Sequence, residues 1–163
     1  MADGNTPLAQ PAGLELCITR IFDAPRSLVF KLWTQSEYLR QWSCPKDFTT
    51  TFSEGDIRPG GAWRMCMRSP EGKDYCVRGI YHEVVSPERV VFTHAWEDAE
   101  GNPGHETLVT VTFSEQAGKT KQTFYQAVFQ SVEERDSHEE GWKECFDKLA
   151  EHLPVFASSE NKR

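Results

Sequence analysis

Three histidine–glutamate pairs, His82-Glu83, His105-Glu106 and His138-Glu139, carry the first half of H-E-x-x-H. In that helical pattern two histidines hold zinc and the glutamate acts as a base. The residues four positions on are Ser86, Val109 and Trp142, so the zinc reading fails at all three sites. Their local sequence places these histidines near loops or at exposed positions. His94 differs, because it falls inside an apolar strand pattern, Val90 to Trp96. A histidine there is either a satisfied core residue or a hydrogen-bonding group within a pocket, and it is retained as the latter.

The five cysteines (Cys17, Cys44, Cys66, Cys76, Cys145) are odd in number, widely spaced and lack a C-x-x-C pair. That disfavours both zinc sites and a disulfide framework, and reduced, mostly buried thiols are expected. Cys44, beside Trp42 and Pro45, is a candidate reactive thiol, with a structural thiol as the plainer reading. There is no G-x-S-x-G elbow and no phosphate-binding loop; Gly60-Gly61 follows Pro59 as a turn. No catalytic residue, metal or cofactor is assigned.

The elements that would position these residues are legible from periodicity. Leu14, Leu16 and Ile18 alternate with polar or small residues, a strand period. Pro25 suits the first turn of a helix bearing Val29, Phe30 and Trp33, capped by Asp23 or Ala24. Ser36 suits the cap of a second short helix with Leu39 and Trp42, which Pro45 closes. From Phe48 to Gln130, β-rich runs separated by turns at 58–61, 70–73, 86–88, 100–104 and 117–118 predict an antiparallel meander. Trp142, Cys145, Phe146, Leu149 and Leu153 then form one helical stripe. That helix starts at a capping box, either Ser131/Glu134 or Ser137/Glu140, and Pro154 is expected to stop it. A lone amphipathic helix after a meander buries its stripe against the sheet, and the first strand is expected to pair with the last, closing the sheet around the helix.

A chain of 163 residues suits one domain, expected over 14–154 with a flexible leader over 1–13 and a flexible tail over 155–163. A net charge of −7 points away from nucleic acid and anionic membrane, which are held chiefly by Lys and Arg. Arg58, Arg64, Arg68, Lys73 and Arg78 read as a solvated outer sheet face. The N-terminal stretch has neither a basic start nor an apolar run, and no stretch approaches the roughly 18 apolar residues of a membrane span, so a cytoplasmic location is expected.

The segments FDAPRSLVFKLWT, LRQWSCP, DIRPGGAWRMCMRSPEG, GIYHEVVSPERVVFTHAW, HETLVTVTF and EEGWKECFDKLAEHL resemble the SRPBCC (START-like, birch-pollen-allergen-like) superfamily. More narrowly, they resemble the branch named for activators of the heat-shock chaperone ATPase. The resemblance covers roughly residues 14–153 and implies an α+β helix-grip fold: a curved antiparallel sheet around a long C-terminal helix, two short helices after the first strand, and a cavity beneath the helix.

Strand parity nominates the cavity walls. Trp63, Met65 and Met67 point inward, leaving Arg64, Cys66 and Arg68 outside; Phe92, His94 and Trp96 share a face, as do Val109, Val111 and Phe113. In the last strand Gln122, Phe124, Gln126 and Val128 share one. Trp42, Tyr81, Trp142 and Phe146 complete the candidate ligand-binding set, with His94, Gln122 and Gln126 as polar handles. Such a lining fits an apolar or aromatic small molecule, so a carrier or sensor is expected. The resemblance also implies a heat-shock chaperone as an alternative partner, although the eukaryotic activators carry a further domain ahead of this one, where the leader here is about a dozen residues. A cavity enzyme using His94, Tyr81 or Tyr125 as acid or base is a third reading. A monomer or weak homodimer is expected.

Overall fold

The computed structural model describes residues 14–161, so the leader expected over 1–13 lies outside the described residues. In chain order the elements are β1 (Glu15–Phe22), α1 (Arg26–Thr34), α2 (Ser36–Trp42), β2 (Thr49–Gly55), β3 (Ala62–Arg68), β4 (Asp74–Val85), β5 (Arg89–Glu97), β6 (Pro103–Gln116), β7 (Lys119–Ala127) and α3 (Val132–Asn161). The strands form one curved antiparallel sheet in the order β1-β7-β6-β5-β4-β3-β2. The meander follows from short connections that admit only antiparallel neighbours. The first strand pairs with the last as expected, from Glu15 opposite Ala127 to Phe22 opposite Thr120. The sheet does not close, however, because β1 and β2 remain its two edges.

The first short helix begins later than its expected cap implies, and the second begins one residue earlier. Pro25 is the N-cap of α1, its carbonyl accepting from the N–H groups of Leu28 and Val29 at 3.0 and 3.2 Å. Gln35, not Ser36, is the N-cap of α2, and neither helix has a side-chain cap. The C-terminal end of α1 is satisfied from α2 instead. Trp42 donates its indole N–H to the Leu32 carbonyl at 3.0 Å, a carbonyl in the last turn that has no partner within its own helix.

The long helix uses the earlier capping box. Ser131 Oγ accepts the Glu134 N–H at 3.0 Å, and Glu134 Oε1 accepts the Gln130 N–H at 2.8 Å. Pro154 does not stop the helix, which continues to Asn161. A proline in a helix interior costs about 3 kcal/mol. Here the apolar stripe runs on through Leu149, Leu153 and Phe156, and Phe156 is buried against Tyr38 with ring centroids 5.3 Å apart. Burying one such side chain contributes about 1.5–3 kcal/mol, which with the added turn offsets the lost bond. The segment expected as a tail is therefore helical through 161.

The cysteines differ from the expectation of five reduced thiols. Cys66 and Cys76 are direct partners in the β3–β4 ladder, with Cα atoms 4.0 Å apart, and are joined as a disulfide. Three free cysteines remain: Cys17 is exposed, while Cys44 and Cys145 are buried.

Candidate functional site

The hollow of the sheet is filled unevenly. Over β1, β6 and β7 it is solid, with Val109, Val111, Phe124 and Phe146 completely buried. Trp33 of α1 is the hub of this half, its ring centroid 6.3 Å from Phe124, 6.1 Å from Phe146 and 4.7 Å from Trp42. Over β3, β4 and β5 a cavity of about 490 Å³ remains. This lies within the size range of small-molecule sites.

Its floor carries Trp63, Met65 and Met67 of β3, Val77 and Tyr81 of β4, and Phe92, His94 and Trp96 of β5. Trp42 and Leu39 of α2 cover one side; His138, Trp142 and Cys145 of α3 cover the other. Of the nominated residues, Trp42, Trp63, Met65, Met67, Tyr81, Phe92, His94, Trp96 and Trp142 thus surround one void. Val109, Val111, Phe124, Gln126 and Phe146 do not line it. The four strand residues face the same side of the sheet, and Phe146 of α3 packs on Phe124, in the half that α1 and α3 pack shut. Tyr125 lies on the opposite face, its hydroxyl donating to the Glu15 carboxylate, and cannot act in the cavity.

A glycine positions Trp63. Gly79 is its Cα partner on β4, and a Cβ there would sit 1.8 Å from the Thr93 carbonyl oxygen and 2.6 Å from Trp63 Nε1. Without that Cβ the indole crosses β4 and donates to the Thr93 carbonyl at 3.3 Å. Two glutamines hold Trp33 and Trp142 to β7. Gln122 Oε1 accepts from Trp33 Nε1 at 2.8 Å, and Gln126 Oε1 accepts from Trp142 Nε1 at 2.9 Å. Gln122 is therefore a core residue under Trp33, not a handle in the cavity. Its buried Nε2 has no partner among the described residues.

His138 is the residue the sequence reading misplaced. It lines the cavity wall, accepting the Trp96 indole N–H on Nε2 at 2.9 Å. Indole only donates, so the ring proton sits on Nδ1, which donates to the Glu134 carbonyl at 2.8 Å. A signal was available, because His138 stands four residues before Trp142 and so shares its helix face. Val77 was also missed, although it is the ladder partner of inward-facing Met65.

His94 is buried at the centre of a ring cluster, with centroids 5.9 Å from Trp63, 5.5 Å from Trp96, 5.7 Å from His138 and 6.0 Å from Trp142. Burial, reinforced by the neighbouring His138, pushes its pKa down to about 3, so the imidazole is neutral at physiological pH. Burial raises the Tyr81 hydroxyl and the Cys145 thiol, keeping both protonated. The cavity thus has a neutral, aromatic interior. Charge enters the lining only at exposed Glu54 and Arg64, and Arg64 holds Glu97 in a two-point ion pair at 2.7 and 2.9 Å, which keeps that carboxyl below its usual range. Cys44 is buried, donating to the Phe48 carbonyl at 3.3 Å and accepting from Lys148 Nζ at 3.3 Å, and serves to tie the loop before β2 to α3. Among the described residues, no three His, Cys, Asp or Glu side chains come together as a metal site. Among the described residues, no helix is long and apolar enough to cross a membrane.

An antiparallel sheet gripping a long C-terminal helix, with space left beneath the helix, defines a helix-grip domain of the SRPBCC superfamily. The model of the family described as Activator of Hsp90 ATPase homolog 1-like protein matches residues 23–154, and the chain belongs to that family. Among solved structures it is similar to the AHSA1 protein of Silicibacter pomeroyi, with 28% identity, a TM-score of 0.79 and coverage of 86% of this chain and 98% of that one. A Nitrosomonas europaea protein (24% identity, TM-score 0.75, 94% of this chain and 99% of that one) shares the fold. So does one from Chromobacterium violaceum (23% identity, TM-score 0.76, 83% and 94%). No curated protein matches the chain. Proteins with this fold commonly bind hydrophobic ligands or interact with Hsp90.

Proposed function

We propose that the protein is a carrier or sensor that takes an apolar, ring-bearing small molecule into the space between β3–β5 and the helices α2 and α3. The observation that carries this reading is the void of about 490 Å³ among Trp63, Trp96 and Trp142. Interiors are packed to the density of organic crystals, so a space of this size among large side chains goes unfilled only at a cost. A ligand would recover those contacts. The lining has the composition of a small-molecule site, mostly apolar with a few orienting polar groups. No nucleophile with an adjacent base stands among these residues, which favours carriage over turnover. A cytoplasmic location is part of the proposal, against which the Cys66–Cys76 bond weighs.

Native mass spectrometry of the purified protein tests it, with tryptophan fluorescence recorded across a panel of aromatic compounds. A retained small molecule, or quenching that saturates, is expected. An unliganded mass together with a flat titration for every compound would end the reading.

Family membership favours one other reading, a chaperone partner that stimulates ATP hydrolysis. Its test is the ATPase rate of Hsp90 with and without this protein, and an unchanged rate would remove it.

A further inference from the structure

His94 differs from the other ring nitrogens of the cavity wall. His138 has both ring nitrogens engaged, Nε2 with Trp96 and Nδ1 with Glu134. The Trp63, Trp96 and Trp142 indole N–H groups are spent on the Thr93 carbonyl, His138 and Gln126. Among the described residues, neither ring nitrogen of His94 bonds to another residue, although the residue borders the void with a relative exposure of only 5%. The backbone around it is fixed, because its carbonyl accepts the Thr107 hydroxyl at 3.1 Å. Its ring nitrogens are not sealed off, since among the described residues Gln122 Nε2 is the one fully buried side-chain atom without a partner, and a ligand bond made to them would contribute about 0.5–1.5 kcal/mol.

The protonation state narrows what that partner is. The imidazole is neutral, so one nitrogen donates and the other accepts. A hydroxyl can meet either. A carboxylate wants a cation, and the nearby guanidinium of Arg64 is already committed to Glu97. An anion entering this interior would be desolvated without a counter-charge.

We infer that His94 is the specificity-determining residue of the cavity and selects an uncharged aromatic alcohol, of the phenol or naphthol class, whose hydroxyl bonds the imidazole while its rings lie among Trp63, Trp96 and Trp142. This rests on the carrier reading and adds to it the chemical class of the ligand.

Equilibrium dialysis of three matched probes, 2-naphthol, naphthalene and 2-naphthoate, against the full chain and its His94→Phe variant tests the inference. The unaltered protein should bind 2-naphthol about tenfold more tightly than naphthalene, one hydrogen bond's worth, and 2-naphthoate most weakly. In His94→Phe the preference for the alcohol should vanish while naphthalene still binds. Equal binding of alcohol and hydrocarbon by the unaltered protein, a preference that survives His94→Phe, or tightest binding of the carboxylate would overturn it. If none of the three binds, this inference fails, while the carrier reading fails only if the native mass is also unliganded and the fluorescence panel is flat throughout. Nitrogen NMR of the unaltered, histidine-labelled protein reads the same contact without a variant: the His94 ring nitrogens should shift with 2-naphthol and hold still with naphthalene, and identical responses to the two would overturn the inference.

Discussion

Trp142 donates its indole N–H to Gln126 Oε1 at 2.9 Å, and this bond sets the direction of a chain reaching three strands. With its oxygen occupied, the Gln126 amide donates through Nε2 to Thr107 Oγ1 at 2.8 Å, and Thr107 donates to the His94 carbonyl at 3.1 Å. One side chain of α3 is thus linked through β7 and β6 to the strand that carries His94.

Removing the first donor should cost more than one bond. Trp142→Phe leaves Gln126 Oε1 buried without a partner, a loss of about 1–3 kcal/mol by denaturant unfolding. Replacing both partners, Trp142→Phe with Gln126→Leu, should recover part of that loss, because no polar group is then stranded. Single and double variants whose losses simply add would show that the two residues are not coupled.

The bond between Cys66 and Cys76 should be countable. Unfolded without reductant, the chain should present three titratable thiols, Cys17, Cys44 and Cys145, and five after reduction. The bond closes a loop of sequence separation 10, for which chain entropy predicts about 2.5–3 kcal/mol of stabilisation. Reduction should lower the denaturation midpoint accordingly. Five thiols in the unreduced chain would return these residues to the reading the cysteine spacing suggested.

That reading shows where sequence reasoning reaches and where it stops. Alternation placed Trp63, Met65 and Met67 on the inner face, because side-chain direction in a strand has a fixed period. The same parity put Val111 and Phe124 on that face, yet they lie under packed helices rather than at the void. Parity tells which side a residue faces, not where two helices leave the sheet uncovered. The cysteine pair was closer to hand. Cys66 and Cys76 are placed symmetrically about the turn at 70–73, so hairpin register alone sets them opposite each other. Pro154 was over-read: a proline removes one backbone bond, while Phe156 two residues on continues the buried stripe. His138 sits where the local sequence suggests exposure, but the helix face it shares with Trp142 brings it to the cavity wall.

The buried imidazole should leave a mark on stability against pH. In the folded state His94 titrates near 3, whereas an unfolded histidine titrates near 6.5. Between those values the unfolded chain holds a proton that the folded one refuses. Stability from this group is therefore complete above about pH 6.5 and is lost as the pH falls toward 3, with a limiting slope of about 1.4 kcal/mol per pH unit. His94→Phe should be flatter than the unaltered protein across that window in urea titrations. Parallel curves would mean that His94 becomes protonated without leaving its site.

The two halves of the hollow should respond in opposite ways to added volume. Val77 is buried on the cavity floor, while Val111 is completely buried on β6 where α1 and α3 pack closely. Val111→Phe forces a ring into a filled interior and should cost about 1–3 kcal/mol or more. Val77→Phe directs the same ring into open space, where it gains contacts rather than displacing them, so its unfolding free energy should stay within about 1 kcal/mol of the unaltered protein. Ligand response should follow the reverse order. At 100 times Kd a ligand adds about 2.7 kcal/mol to the folded state, so 2-naphthol should raise the thermal midpoint of the unaltered protein and of any folded Val111→Phe. It should leave Val77→Phe unmoved, since the added ring occupies the volume the ligand needs. If Val77→Phe is as damaging as Val111→Phe, the floor of β4 has no room to give and the cavity is closed in solution.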